Sequence, residues 1–103
     1  MADASITERG DGRLAIAGDL SFDTVPRLWQ RWRALAEGRA SLDIDLSAVQ
    51  RSDSAGLALL IEGLRRARQT GQSIRFFNIP DQLLAIARAS GLEAVLPLHT
   101  RVD

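Results

Sequence analysis

A chain of 103 residues has the size of one domain, and with 46% hydrophobic residues it can bury a small core of its own. Thirteen basic residues, all of them Arg, balance thirteen acidic ones, which argues against a general nucleic-acid binder or a protein held to anionic lipid by charge alone. The absence of Lys and Cys, with His99 the only histidine, removes a Walker-type phosphate loop, a Schiff-base lysine, a disulfide framework and Cys-ligated zinc.

The opening MADASITERGDG lacks the basic-then-apolar plan of a signal peptide, and no apolar run approaches the length of about 20 residues that spans a bilayer. A soluble cytoplasmic domain over residues 1–103 is expected, with an ordered core from about 5 to 98 and loose ends. Ile6 to Glu8 reads as a short strand, and Gly10-Asp11-Gly12 as a hairpin-like turn. Arg13 to Ala17 alternates, with Leu14 and Ile16 on one face, and is a second strand. After Gly18-Asp19 the period becomes helical. Val25, Leu28, Trp29, Trp32, Leu35 and Ala36 share one stripe, Arg27, Gln30, Arg31 and Arg33 the other. Asp23 or Thr24 can cap this helix, Pro26 sits in its first turn and Gly38 stops it. Periodicity favours the two tryptophans as core rather than as a ligand cage.

Ser41 to Leu46 alternates Leu42, Ile44 and Leu46 against Asp43 and Asp45. Two carboxylates on one strand face can do acid–base work, but with no further ligand nearby they are expected to mark a face of the sheet that meets water. Strands buried on both faces read as continuous apolar runs; these alternate, so helices should cover mainly one face. A helix then carries Leu57, Leu60, Ile61, Leu64 and Ala67 inward and Glu62, Arg65, Arg66 and Arg68 outward, to end at Gly71. The Arg cluster reads first as a solvated face and second as a docking patch. Ser73 to Asn78 is a strand, Pro80-Asp81 opens a last helix that Gly91 stops, and Leu92 to Leu96 is a final strand or packed tail. The order β-β-α-β-α-β-α predicts a mixed, mainly parallel sheet with right-handed crossovers.

The stretch Arg51-Ser52-Asp53-Ser54-Ala55-Gly56-Leu57 joins the third strand to the second helix through a short loop. Ser54 stands where a side-chain oxygen caps free helix N–H groups, and where the first residues of a helix face whatever docks there. As a nucleophile it lacks the first Gly of a G-x-S-x-G elbow, Ser52 standing in that place, and its triad would need His99 and Glu93 near the chain end.

Leu42-Asp43-Ile44-Asp45-Leu46-Ser47, followed by Asp53-Ser54-Ala55-Gly56-Leu57 and a Leu-rich helix, resembles the STAS domain family, the sulfate-transporter and anti-sigma-factor-antagonist fold. Gly18-Asp19-Leu20, Gly71 and Ser90-Gly91-Leu92 support the resemblance, which runs from about Leu14 to Leu98. Leu28-Trp29 and Gly56-Leu57-Ala58-Leu59-Leu60 look most like the branch formed by the small STAS subunits of Mla-type phospholipid transporters. The resemblance implies a single α/β STAS domain with a mixed, mainly parallel sheet of four to five strands. It also implies a non-catalytic subunit without cofactor or metal, peripheral to the inner membrane through an ABC transporter ATPase and its permease, and involved in outer-membrane lipid asymmetry. It places Arg51 to Leu57 at the partner contact and Ser54 at the ATPase, with Ser54 also the candidate for phosphorylation. The alternative it implies is an anti-sigma-factor antagonist or other signalling STAS protein. In those relatives the phosphorylated hydroxyl immediately precedes the Gly, a position held here by Ala55. A phosphate on Ser54 would be opposed by Asp53 beside it.

Overall fold

The computed structural model describes residues 3–99. Strands β1 (Ala4–Glu8) and β2 (Leu14–Leu20) form an antiparallel hairpin. Helix α1 (Val25–Ala36), β3 (Ser41–Ser52), α2 (Ser54–Thr70), β4 (Ser73–Phe77) and α3 (Asp81–Ala89) follow, and a 3₁₀ turn at Glu93–Val95 leads to β5 (Leu98–His99). The five strands lie in chain order, and every pairing after the hairpin is parallel. Each parallel neighbour is thus reached through a helical crossover.

The expected alternation of elements and the mixed sheet are present, with corrections at three places. Strand β2 runs on through Gly18 to Leu20, and β3 continues past Leu46 to Ser52. Register shifts between Ala15 and Ala17 and between Gly18 and Asp19 break the period in this pair, so the extra strand does not alternate cleanly in sequence. Arg51 and Ser52, expected in a loop, therefore end a strand. The last strand is Leu98–His99 rather than Leu92–Leu96, and the rest of the expected loose tail lies outside the described residues.

Leu14, Ile16 and Leu20 of β2, Leu42, Ile44 and Leu46 of β3 and Ile74 and Phe76 of β4 merge with Leu28, Trp32, Leu57, Leu60, Leu64 and Leu83 of the helices in one core. Trp32 is completely buried and meets Phe76 edge-on at 6.3 Å. Its indole packs directly against Gly63 of α2, where a Cβ would collide with the ring. Trp29 differs from its expected place. It is only partly buried, 5.9 Å from Trp32, and lies at the rim of the core rather than within it.

The open face of the sheet also departs from expectation. Asp43 forms a two-pronged pair with Arg75, both contacts at 2.9 Å, but Asp45 does not meet water. It is 6% exposed and accepts hydrogen bonds from Ser47 N (2.9 Å), Asn78 Nδ2 (3.1 Å) and Arg9. Long side chains roof this face: the Arg13 and Arg75 guanidiniums lie 4.5 and 5.3 Å from the centre of the Phe77 ring, and His99 stacks on the same ring. Burial alone would push the Asp45 carboxyl up, but the donors from Ser47, Asn78 and Arg9 outweigh it and hold the group below the usual carboxylate range. A group depressed in this way contributes stability above its unfolded pKa of about 3.9 and loses it as pH falls through the folded value. Asp45→Asn should cost about 1.5–3 kcal/mol at pH 7. The gap to the parent should narrow at pH 3, and thermal unfolding at the two pH values measures it.

Candidate docking surface

The junction of β3 and α2 is built from the inside out. Ser52 is buried; its N–H donates to Gln82 Oε1 of α3 at 2.9 Å and its hydroxyl to the Asp53 carbonyl at 3.0 Å. Asp53 N donates to the Leu20 carbonyl at the end of β2 (3.1 Å), tying the two strand ends together. Asp53 itself is extended, and its Oδ1 accepts from Ala55 N at 2.8 Å. The helix cap is thus Asp53, and Ser54 is the first helical residue, not the cap. A carboxylate suits this position because it meets the partial positive charge of the helix start.

Gly56 permits the arrangement. A Cβ there would collide with Ser52 Oγ and press on Leu20 Cβ at 3.0 Å, so any larger residue would push α2 away from the strand ends. Ala55, Gly56 and Leu57 are buried, as is Ser52, whereas Arg51, Asp53 and Ser54 are exposed. Of the seven residues expected at a partner contact, three present side chains to solvent and four build the support behind them. Asp53→Ala should lower stability by about 0.5–2 kcal/mol, while Ser54→Ala should change thermal unfolding little.

Two parts of this surface were not foreseen. Gln82 closes a shallow depression of about 260 Å³ together with Asp19, Leu20, Ser21, Arg51, Ser52 and Asp53; nothing in the pattern of α3 marks it. Phe22, between β2 and α1, is 75% exposed. Its loop is held by Thr24 Oγ1, which accepts from Ser21 N (3.0 Å) and donates to the Asp19 carbonyl (2.8 Å). An aromatic outside every periodic stripe was the available signal. The residues a triad would use are engaged elsewhere: His99 on Phe77, and Glu93 with Arg88 at 3.1 Å.

A family model described as "Mlab, STAS domain" matches residues 5–98. The chain belongs to the STAS domain family. This STAS domain is 34% identical over 85 residues to the intermembrane phospholipid transport system binding protein MlaB of Escherichia coli, covering 82% of the chain and 86% of that protein. It is 26% identical over 93 residues to the anti-sigma-B factor antagonist of Bacillus subtilis, covering 90% and 85% respectively. Among solved structures, an anti-sigma factor antagonist from Mycobacterium paratuberculosis superposes with a TM-score of 0.80 at 22% identity, over 100% of this chain and 89% of that one. The unphosphorylated anti-sigma factor antagonist SpoIIAA superposes at 0.71 and 14%, over 96% and 90%. These two likenesses establish the fold. STAS domain proteins are generally non-catalytic regulators or assembly subunits. None of the described helices is long and apolar enough to cross a membrane.

Proposed function

We propose that this STAS domain is a non-catalytic assembly and regulatory subunit of a phospholipid ABC transporter. In this reading it docks on the cytoplasmic ATPase subunit and sits peripheral to the inner membrane through that partner. The observation that carries the proposal is the 34% identity to MlaB across most of the chain. The corner of Arg51, Asp53 and Ser54 supports it, exposed side chains on a buried and hydrogen-bonded frame. A frame of this kind presents side chains without further ordering, so little entropy is lost when a partner binds. No reacting group is needed for such a role. Ser54 meets its partner as a small hydroxyl that fits a packed contact.

The second reading, a signalling STAS protein, is favoured by the likeness to the Bacillus antagonist. Ala55 opposes it, being buried and without a hydroxyl at the position the signalling relatives phosphorylate. Phosphorylation would then have to fall on Ser54, whose side chain is accessible. Affinity purification of the tagged chain from its own cells separates the two. Recovery of an ABC ATPase with its permease is expected; recovery of a sigma-regulatory kinase instead would overturn the proposal.

A further inference from the structure

Strand β1 is an edge of the sheet, and the hairpin's hydrogen bonds fix which of its main-chain groups are free. Arg9 N donates to the Arg13 carbonyl (2.8 Å) at one end of the hairpin, and Asp19 N to the Asp3 carbonyl (3.0 Å) at the other. The register between these ends is unbroken, and bonded and non-bonded pairs alternate along an antiparallel ladder. Asp3, Ser5, Thr7 and Arg9 therefore direct their main-chain groups to β2. Ala4, Ile6 and Glu8 turn theirs outward, and among the described residues no strand takes them.

Proteins that keep a sheet edge unpaired shorten it, kink it or charge it. The opposite edge, β5, has only two residues. Strand β1 has five, without Pro, Lys or a bulge, and the carboxylate of Glu8 is already paired with Arg39.

The free edge is self-complementary. Laid antiparallel on a second copy about Ile6, it sets Ala4 opposite Glu8 and Ile6 opposite its own counterpart, so all three outward residues meet outward residues. Ser5 then stands opposite Thr7, both exposed on the face away from the core. Asp3 stands opposite Arg9, which holds Asp11 and Asp45 and has further N–H groups for a third carboxylate. No like charges face each other, whereas parallel pairing in register would set Glu8 beside Glu8 and Arg9 beside Arg9.

We infer that β1 pairs with β1 of a second copy of this chain, joining two five-stranded sheets into one. The contact is isologous, with the two-fold axis at Ile6. It uses neither the Ser54 corner nor α2, and so is independent of the proposed docking.

A single strand makes a small interface, with an expected dissociation constant of about 10 μM to 1 mM. Sedimentation of the full chain across that range should show monomer passing to dimer. Because the chain has no cysteine, its register can be read by oxidation. A mixture of Ser5→Cys and Thr7→Cys proteins should crosslink at least about tenfold faster than either alone. Residues directly opposite have Cβ atoms about 4.5–5.5 Å apart, against about 7–8 Å for the diagonal 5–5 and 7–7 pairs. Ser5→Lys with Thr7→Lys sets cations face to face and should weaken self-association about tenfold, with thermal unfolding unchanged. Adding the chain with Ser5→Glu and Thr7→Glu should restore the dimer as a mixed species. A chain that stays monomeric to about 1 mM overturns the inference. So does a dimer indifferent to the lysines, or crosslinking no faster in the mixture than in either protein alone.

Discussion

Trp32→Ala is expected to destabilise the domain by about 3–5 kcal/mol, a large part of the roughly 5–15 kcal/mol that such a fold commands. Trp32 is fully buried, touches Phe76 and Trp29, and fills the space where α1 crosses α2. Its removal leaves a cavity that the helix backbones cannot collapse into, because both are anchored on the sheet. Gly63 supplies an internal control. In the parent, Gly63→Ala forces a methyl group into the indole and should cost about 1–3 kcal/mol by overpacking. In the Trp32→Ala background the same change meets empty space and adds a better helix former, so it should be neutral or stabilising by up to about 1 kcal/mol. Thermal or denaturant unfolding of the four proteins gives the coupling directly. Independent, additive effects would show that the two residues do not form the helix contact.

Ser54→Arg is expected to abolish the proposed docking on a transporter ATPase while leaving the domain folded. The side chain is exposed and the cap belongs to Asp53, so nothing in the frame depends on the hydroxyl. In a packed interface, however, an arginine brings bulk and an unmatched charge. Ser54→Ala should act more mildly. It would remove one hydrogen bond and leave the partner's group unsatisfied, about 1–3 kcal/mol or roughly 5- to 150-fold in affinity. Thermal unfolding and co-purification with the ATPase measure the two properties separately. A folded Ser54→Arg protein that retains parental binding would remove Ser54 from the interface.

The helices were legible because each turns one apolar stripe to the sheet, and period 3.6 survives small irregularities. The hairpin and the first half of β3 were legible because alternation is undisturbed there. The second half was hidden by the register shifts against β2, where Ser47, Ala48, Gln50 and Arg51 interrupt the pattern. Asp45 misled for another reason. Its partners Arg9 and Asn78 are 36 and 33 residues away, and only the folded sheet brings them to it. At the site, the strand-to-helix junction and the exposure of Ser54 followed from local sequence. The choice of Asp53 as cap depended on one backbone conformation. The rim position of Trp29 was invisible because Val25 and Trp29 carry the same periodic signal as Leu28 and Trp32, and only packing separates a rim residue from a core one.

Because the strands stand in the sheet in the order in which they occur in the chain, the domain can be assembled vectorially during synthesis. The β1–β2 hairpin emerges first and offers an edge to β3, which in turn offers one to β4. No early strand must wait for a late one to be inserted beside it, and each joins a partner already made. The Ser54 corner reaches its final form only at a later stage. Its Ser52 N–H is satisfied by Gln82, so the corner is locked once α3 has left the ribosome and packed, after most of the sheet exists. A nascent chain would therefore acquire most of its sheet before the proposed docking corner is fixed.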